Sequence, residues 1–182
     1  MKPKVNRSMG VIDNPKAFDR CQTPPYALKP LLPYLAHDRI IWEPASGEGI
    51  LVAALRAAGY TVFGSDIISG QNFWSEQPIV WDCIVTNPPY SIKYAWLKRC
   101  YDLARPFALL LPVETLGAQS AQRLFKQFGV EVVFMNRRIN FKMPLKGWEG
   151  SAAQFPVCWV TFGLNIGRQM TFAELKKESS HV

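Results

Sequence analysis

From residue 39 onward, short apolar runs and helix-length amphipathic stretches take turns along the chain. Arg39-Ile40-Ile41-Trp42 is an apolar run of strand length, Gly49 to Ala58 has helical spacing and stops at Gly59, and Tyr60 to Ser65 is a second strand candidate closing on Asp66. Asp82 to Thr86 is a third, running into a Pro-Pro turn. Ile92 to Ala104 reads as a helix, Phe107 to Leu111 as a strand, and Ser120 to Phe128 as a helix ending at Gly129. Strands alternating with helices predict a mostly parallel sheet with helices on both faces.

Three stretches break this rhythm. Tyr26 to Leu35 is apolar but interrupted by Pro30 and Pro33, so it reads as a short or kinked helix. Val130 to Met135 and Val157 to Phe162 are rich in β-branched and aromatic residues with no helical pattern between them, which predicts an antiparallel pair at one edge of the sheet. The intervening segment, Asn136 to Phe155, carries Arg137, Arg138, Lys142 and Lys146 together with Phe141 and Trp148, and a long loop in a compact domain is usually functional or disordered. Thr171 to Val182 is short and mixed and reads as a frayed helix.

Composition narrows the function classes. With 182 residues, 48% of them hydrophobic and 19% charged, the chain fits one soluble domain, and no apolar run approaches the roughly 20 residues of a membrane span. The basic start MKPKVNRSMG is followed by Val11-Ile12-Asp13-Asn14 and not by an apolar run, so no secretory signal and a cytoplasmic location are expected. The four cysteines are widely spaced and there are only two histidines, which disfavours a zinc site, a disulfide framework and a histidine-dependent nucleophilic triad. A formal net charge of +7 suits an anionic partner, of which nucleic acid is the commonest.

Two segments carry candidate chemistry. Glu43-Pro44-Ala45-Ser46-Gly47-Glu48-Gly49 lies directly after the first strand and before a helix, where a parallel sheet places its ligands. It lacks the third glycine of the dinucleotide fingerprint and places Glu43 and Glu48 where a pyrophosphate would be repelled, so a cationic ligand is favoured. S-adenosylmethionine, with a sulfonium and an ammonium but no phosphate, fits that description, and Asp66 at the end of the second strand can accept from the hydroxyls of a ribose. The second segment, Asn87-Pro88-Pro89-Tyr90, follows a buried strand. An aromatic amine is a poor nucleophile until hydrogen bonds draw its hydrogens out of the ring plane. The Asn87 side-chain oxygen and the Pro88 carbonyl are two acceptors that prolines hold in place for this, and Tyr90 is placed to stack on a flipped base.

These residues resemble the class I S-adenosylmethionine-dependent methyltransferases, and more narrowly the DNA adenine-N6 enzymes with an N-P-P-Y or N-P-P-F motif. Gln22-Thr23-Pro24-Pro25-Tyr26 looks like the T-P-P segment that closes over the methionine moiety, and the order T-P-P, cofactor loop, catalytic loop is that of the gamma-type enzymes. The resemblance covers roughly residues 18 to 162 and implies a Rossmann-like α/β fold, a seven-stranded, mostly parallel sheet with an antiparallel edge. It implies that Thr23, Pro24, Glu43, Ala45, Gly47, Gly49, Asp66, Asn72, Phe73 and Asn87 hold the cofactor. It further implies that Asn72-Phe73 lie beside the cofactor adenine, Asn standing where the family often has Asp, and that Phe141, with Trp148 as a rival, is the second ring sandwiching the base. Arg137, Arg138, Lys142 and Lys146 are the expected nucleic-acid contacts.

The domain reading is an extension over 1–17, a catalytic domain over 18–165 and a tail over 166–182, with no separate target-recognition domain. DNA is the expected substrate, with site-specific or relaxed selectivity and a role in restriction, regulation or a mobile element. RNA adenine or a protein glutamine side chain are alternatives that use the same pair of acceptors, and a cofactor-binding subunit without activity is the non-enzyme alternative. The intact Asn87-Pro88-Pro89-Tyr90 loop speaks for an enzyme.

Overall fold

The computed structural model describes residue 19 and residues 21–142 and 155–175. Seven strands form one sheet: β1 (Ile40–Glu43), β2 (Thr61–Gly64), β3 (Cys83–Thr86), β4 (Phe107–Pro112), β5 (Glu131–Met135), β6 (Val157–Phe162) and β7 (Met170–Ala173), in the order β2-β1-β3-β4-β6-β5-β7. The first four run parallel. β6 is antiparallel to both of its neighbours, and β7 pairs parallel with β5.

Alternation along the strands divides the core between the two faces. Ile41, Cys83, Val85, Ala108, Leu110, Val133 and Trp159 pack on one face, with Ala27, Leu28 and Leu31 and with Leu51, Val52 and Leu55 of helix α1 (Ile50–Ala57). Trp42, Ile84, Phe107, Leu109, Val132 and Val160 pack on the other. There they meet Trp96, Leu97, Cys100 and Tyr101 of α2 (Lys93–Asp102) and Ala121 of α3 (Gln119–Phe128). The apolar stripe on α2 falls at i, i+1, i+4 and i+5, the spacing that turns one helical face to a core. β3 and β4 are buried at every position, as central strands covered on both sides must be.

Three expectations are corrected. The segment read as a short or kinked helix over Tyr26 to Leu35 is two 3-10 turns, Pro25–Leu28 and Leu32–Tyr34. Prolines at 25, 30 and 33 lack the N–H groups that an α-helical ladder needs, and the remaining bonds close at i+3, as from Leu31 N–H to the Leu28 carbonyl at 2.8 Å. The β5–β6 pair forms as expected, but one strand in from the edge, because β6 inserts between β4 and β5 and satisfies the open side of the fully apolar β4. The edge itself is β7, in the stretch expected to be a frayed helix. Its Met170-Thr171-Phe172-Ala173 alternates in burial with period two, and Phe172 stacks on Phe134 with centroids 5.4 Å apart. Lys146 and Trp148 lie outside the described residues, as do the 1–17 extension and the end of the tail. Among the described residues no helix is long and apolar enough to cross a membrane.

Candidate active site

The carboxyl ends of β1, β2 and β3 deliver the polar residues to one place. β1 ends on Glu43, β2 is followed by Ser65 and Asp66, and β3 ends on Thr86 with Asn87 next in line. The loop between β1 and α1 is pinned to the end of β2. Ser65 N–H donates to the Glu43 carbonyl at 2.9 Å and Ser46 N–H to the Ser65 carbonyl at 3.0 Å. Asp66 Oδ2 accepts from Gly47 N–H and Asp66 Oδ1 from Ile68 N–H, both at 2.8 Å. Asp66 therefore clamps the glycine loop and caps the 3-10 turn Ile67–Ser69 at once. Each carboxylate oxygen retains a further lone pair. Gly47 sits at φ +50°, and a Cβ there would lie 2.5 Å from Gln22 Nε2. Gly49, at φ +79°, begins α1 in the left-handed region.

Gln22 belongs to the segment that closes the site from above. Its backbone exchanges two hydrogen bonds with Lys142, at 2.8 and 3.0 Å, and its Oε1 accepts from Glu48 N–H at 3.3 Å. Tyr26 Oη accepts from Asn140 N–H at 2.8 Å, so the T-P-P segment and the chain after β5 form one rim. Asp19, just ahead, accepts from Ser91 N–H at 3.1 Å and from the Ser91 hydroxyl at 2.5 Å, which ties the rim to the turn that follows Asn87-Pro88-Pro89-Tyr90.

Beneath the rim lie two adjoining hollows, about 520 and 570 Å³ with their open mouths included. Asp19 and Ala45 line both. The first is polar, with Gln22, Thr23, Glu43, Ser46, Gly47 and Asn87 in its wall. The second is a slot between Pro44, Ile67, Phe73, Trp74, Pro89 and Ile92, with Asn72 at its edge. Phe73 forms its floor, stacked on Trp96 at 4.1 Å and 12°. Asn72 Oδ1 accepts from Trp74 N–H at 3.0 Å, so the side chain expected beside the cofactor adenine already holds its own turn.

Buried polar atoms stand without a partner at this end of the sheet: Glu43 Oε2, Asn87 Oδ1 and the Tyr90 hydroxyl. Glu43 is 1% exposed. Its Oε1 accepts from Ala45 N–H at 3.0 Å and from the Thr86 hydroxyl. Burial pushes the Glu43 carboxyl up to about 8; the bonds from Thr86 and Ala45 pull the other way, and the Asp66 charge adds to the rise. Burial also holds the Tyr90 phenol well above its ordinary range, with Cys21 and Cys158 adding to the effect. The hollows therefore present buried and partly buried acidic groups, and among the described residues no lysine, arginine or histidine stands in either wall. Among the described residues no group of histidine, cysteine, aspartate or glutamate side chains is arranged to hold a metal ion.

No family model matches the chain, and no curated protein matches it. Solved structures match it by shape. A type I restriction-modification system methyltransferase subunit from Streptococcus thermophilus superposes with a TM-score of 0.56 at 16% identity, over 85% of this chain and 47% of that one. A modification subunit ascribed to a type I restriction enzyme of Vibrio vulnificus YJ016 superposes at 0.52 and 11%, over 88% and 48%. The fold is that of the Rossmann-like methyltransferases. This chain spans about half the length of each of these two structures.

Within this methyltransferase fold, the expected residues do not all meet. Thr23, Glu43, Ala45, Gly47 and Asn87 line the first hollow, and Ala45, Asn72, Phe73 and Pro89 the second. Pro24, Gly49, Asp66 and Pro88 line neither hollow, although Asp66 holds the Gly47 amide of the first. Tyr90 lies deeper. Phe141, expected to face it across a base, is 6% exposed and meets the Tyr90 ring edge-on at 6.4 Å, as a buttress and not as one half of an open slot. Phe155, 39% exposed and 5.9 Å from Tyr90, stands on the accessible side. Sequence reading missed Asp19, Ser91, Ile67, Trp74 and Ile92. Asp19 precedes any periodic element and carries no local signal, whereas Trp74 was legible as the second ring of an aromatic doublet.

Proposed function

We propose that the chain is an S-adenosylmethionine-dependent methyltransferase acting on the exocyclic N6 of adenine in DNA. The observation that carries this reading is Asn87 Oδ1: a buried carbonyl oxygen without a donor, on a residue in the wall of the hollow that holds the glycine loop and Glu43. A buried acceptor left unmade costs about 1–3 kcal/mol, so it marks a place where a donor is to be brought in. An amine N–H is such a donor.

The residues present fit the cofactor. The uncompensated carboxyl of Glu43 and the nearby Asp19 and Asp66 suit its cationic groups, and the slot of Phe73, Trp74, Pro89 and Ile92 suits its purine. When bound, S-adenosylmethionine supplies the electrophile, a methyl group on a sulfonium sulfur. Asn87 Oδ1 accepts one hydrogen of the target amine and the Pro88 carbonyl the other, turning the nitrogen lone pair out of conjugation with the ring. Tyr90 offers its face to the base, steadied from behind by Phe141. An adenine in a duplex must leave the stack to reach this depth.

Transfer of labelled methyl groups to unmethylated duplex DNA, single-stranded DNA and RNA, with identification of the product nucleosides, tests the reading. N6-methyladenine in DNA is the expected product. Label found only in RNA, or only in protein, would overturn the substrate assignment, and absence of both transfer and cofactor binding would overturn the whole.

Arg137 and Arg138 are exposed, and Lys142 is exposed beside its bridge to Gln22, which sets a basic segment on the rim of the first hollow. If these cations meet phosphates, neutralising all three reduces the slope of log affinity against log salt by about one for each phosphate that no longer faces a cation. Filter binding of duplex DNA over a salt series measures it. An unaltered slope would place these charges on a bystander surface.

A further inference from the structure

Thr86 ends β3 with 0% exposure and stands one residue before Asn87. A buried threonine hydroxyl at a strand end usually serves only its own backbone. This one donates instead to Glu43 Oε1 on β1, 43 residues away. The same carboxyl reaches forward through Ala45 N–H into the glycine loop and leaves Oε2 unpartnered. Glu43 thus touches both the cofactor loop and the residue from which the Asn87 loop starts.

We propose that Thr86 is a positioning residue and that the Glu43–Thr86 pair couples occupancy of the first hollow to the placement of Asn87. The inference rests on the cofactor reading given above. Burial favours the neutral carboxyl, and among the described residues the groups facing it do not reverse that. Asp66 lies on the β2 side, Asp19 and Cys21 on the segment above, Leu51 on α1 and Ile68 on the turn after β2; none of them is cationic. A cationic ligand supplies the missing charge. Below about pH 8 its arrival ionises Glu43, and the carboxyl proton leaves to solvent. An ionised carboxylate is the stronger acceptor, so the hold on the Thr86 hydroxyl tightens when the cofactor is in place. Asn87 is then fixed most firmly at the moment a methyl donor is present.

The sign gives a direct measurement. Calorimetric titration of the full chain with S-adenosylmethionine at pH 7, in two buffers of different ionisation enthalpy, should show a proton released on binding. Release should fade as the pH rises above about 8, where the free carboxyl is already ionised. Glu43→Gln, which keeps an acceptor for Thr86 but cannot titrate, should release none. Thr86→Val, nearly isosteric, should bind cofactor within about threefold of the parent and still release the proton, while kcat falls on the order of tenfold or more because Asn87 is no longer held. Thr86→Ser should restore most of kcat, and it stands in as the test of the hydroxyl if the valine variant does not fold.

A purely structural Thr86 would lower the melting temperature of the valine variant without separating kcat from binding. Binding with no proton release, or unchanged kcat in Thr86→Val, overturns the coupling while leaving the methyltransferase reading standing. A wild-type chain that binds no S-adenosylmethionine overturns both.

Discussion

Asn87→Ala is expected to lower methyl transfer to adenine by about 100- to 1,000-fold while S-adenosylmethionine binds within about threefold of the parent affinity, the loss falling on kcat. The split follows from what the side chain does in the structure. Its Oδ1 has no protein partner, so removing it strips no hydrogen bond from the fold. Cofactor binding draws mainly on groups that the substitution leaves in place: the glycine loop clamped by Asp66, the Glu43 carboxyl and the aromatic slot around Phe73. What disappears is an acceptor used only once the target amine is present. Single-turnover methylation with excess enzyme, alongside calorimetric cofactor titration, separates the two effects. Turnover within about threefold of wild type would refute the role of Asn87. Loss of cofactor binding in step with turnover would make Asn87 a wall of the cofactor site and no more.

How far such a site can be read from the chain alone depends on how local its causes are. The glycine loop and the Asn87 loop were legible because each sits at the end of a strand whose apolar run announces it, with glycines or prolines fixing the turn. The polar hollow between them follows once the strands are parallel. Residues that act across the fold were not legible. Asp19 reaches Ser91 over 72 positions, and Thr86 reaches Glu43 over 43; neither spacing leaves a pattern in the sequence. The packing of Phe141 was not legible for a related reason. An aromatic in a loop is ambiguous until packing decides, and here it is drawn into the core beside Ile139, leaving Phe155 on the open side of Tyr90. The position of β6 was beyond sequence reading as well, since pairing rules allow the antiparallel pair to sit with either strand outermost. Only the open flank of β4 and the short β7 fix the order.

That order places Trp159 where its removal has the largest expected effect on stability. It is 0% exposed at the middle of β6, opposite Leu110 of β4 and Val133 of β5. It packs on the face that carries Ala27, Leu28 and Leu31, and its indole N–H donates to the Ala27 carbonyl at 2.9 Å. Trp159→Ala should cost about 3–5 kcal/mol, a large part of the roughly 5–15 kcal/mol that holds a domain together, read as a lowered urea midpoint at unchanged slope. Trp159→Phe keeps most of the packing but leaves the Ala27 carbonyl without its donor, and should cost about 1–3 kcal/mol. The more telling consequence is at a distance. Ala27 lies in the 3-10 turn that directly follows Thr23 and Pro24, and Thr23 is in the wall of the first hollow, which Trp159 does not line. The phenylalanine variant should therefore bind S-adenosylmethionine several-fold more weakly under conditions where it is fully folded, since the indole bond is what anchors the rim segment to the sheet. Native affinity in a folded Trp159→Phe chain would show that the rim is held instead by its bridge to Lys142 and by the Asp19 tie to Ser91.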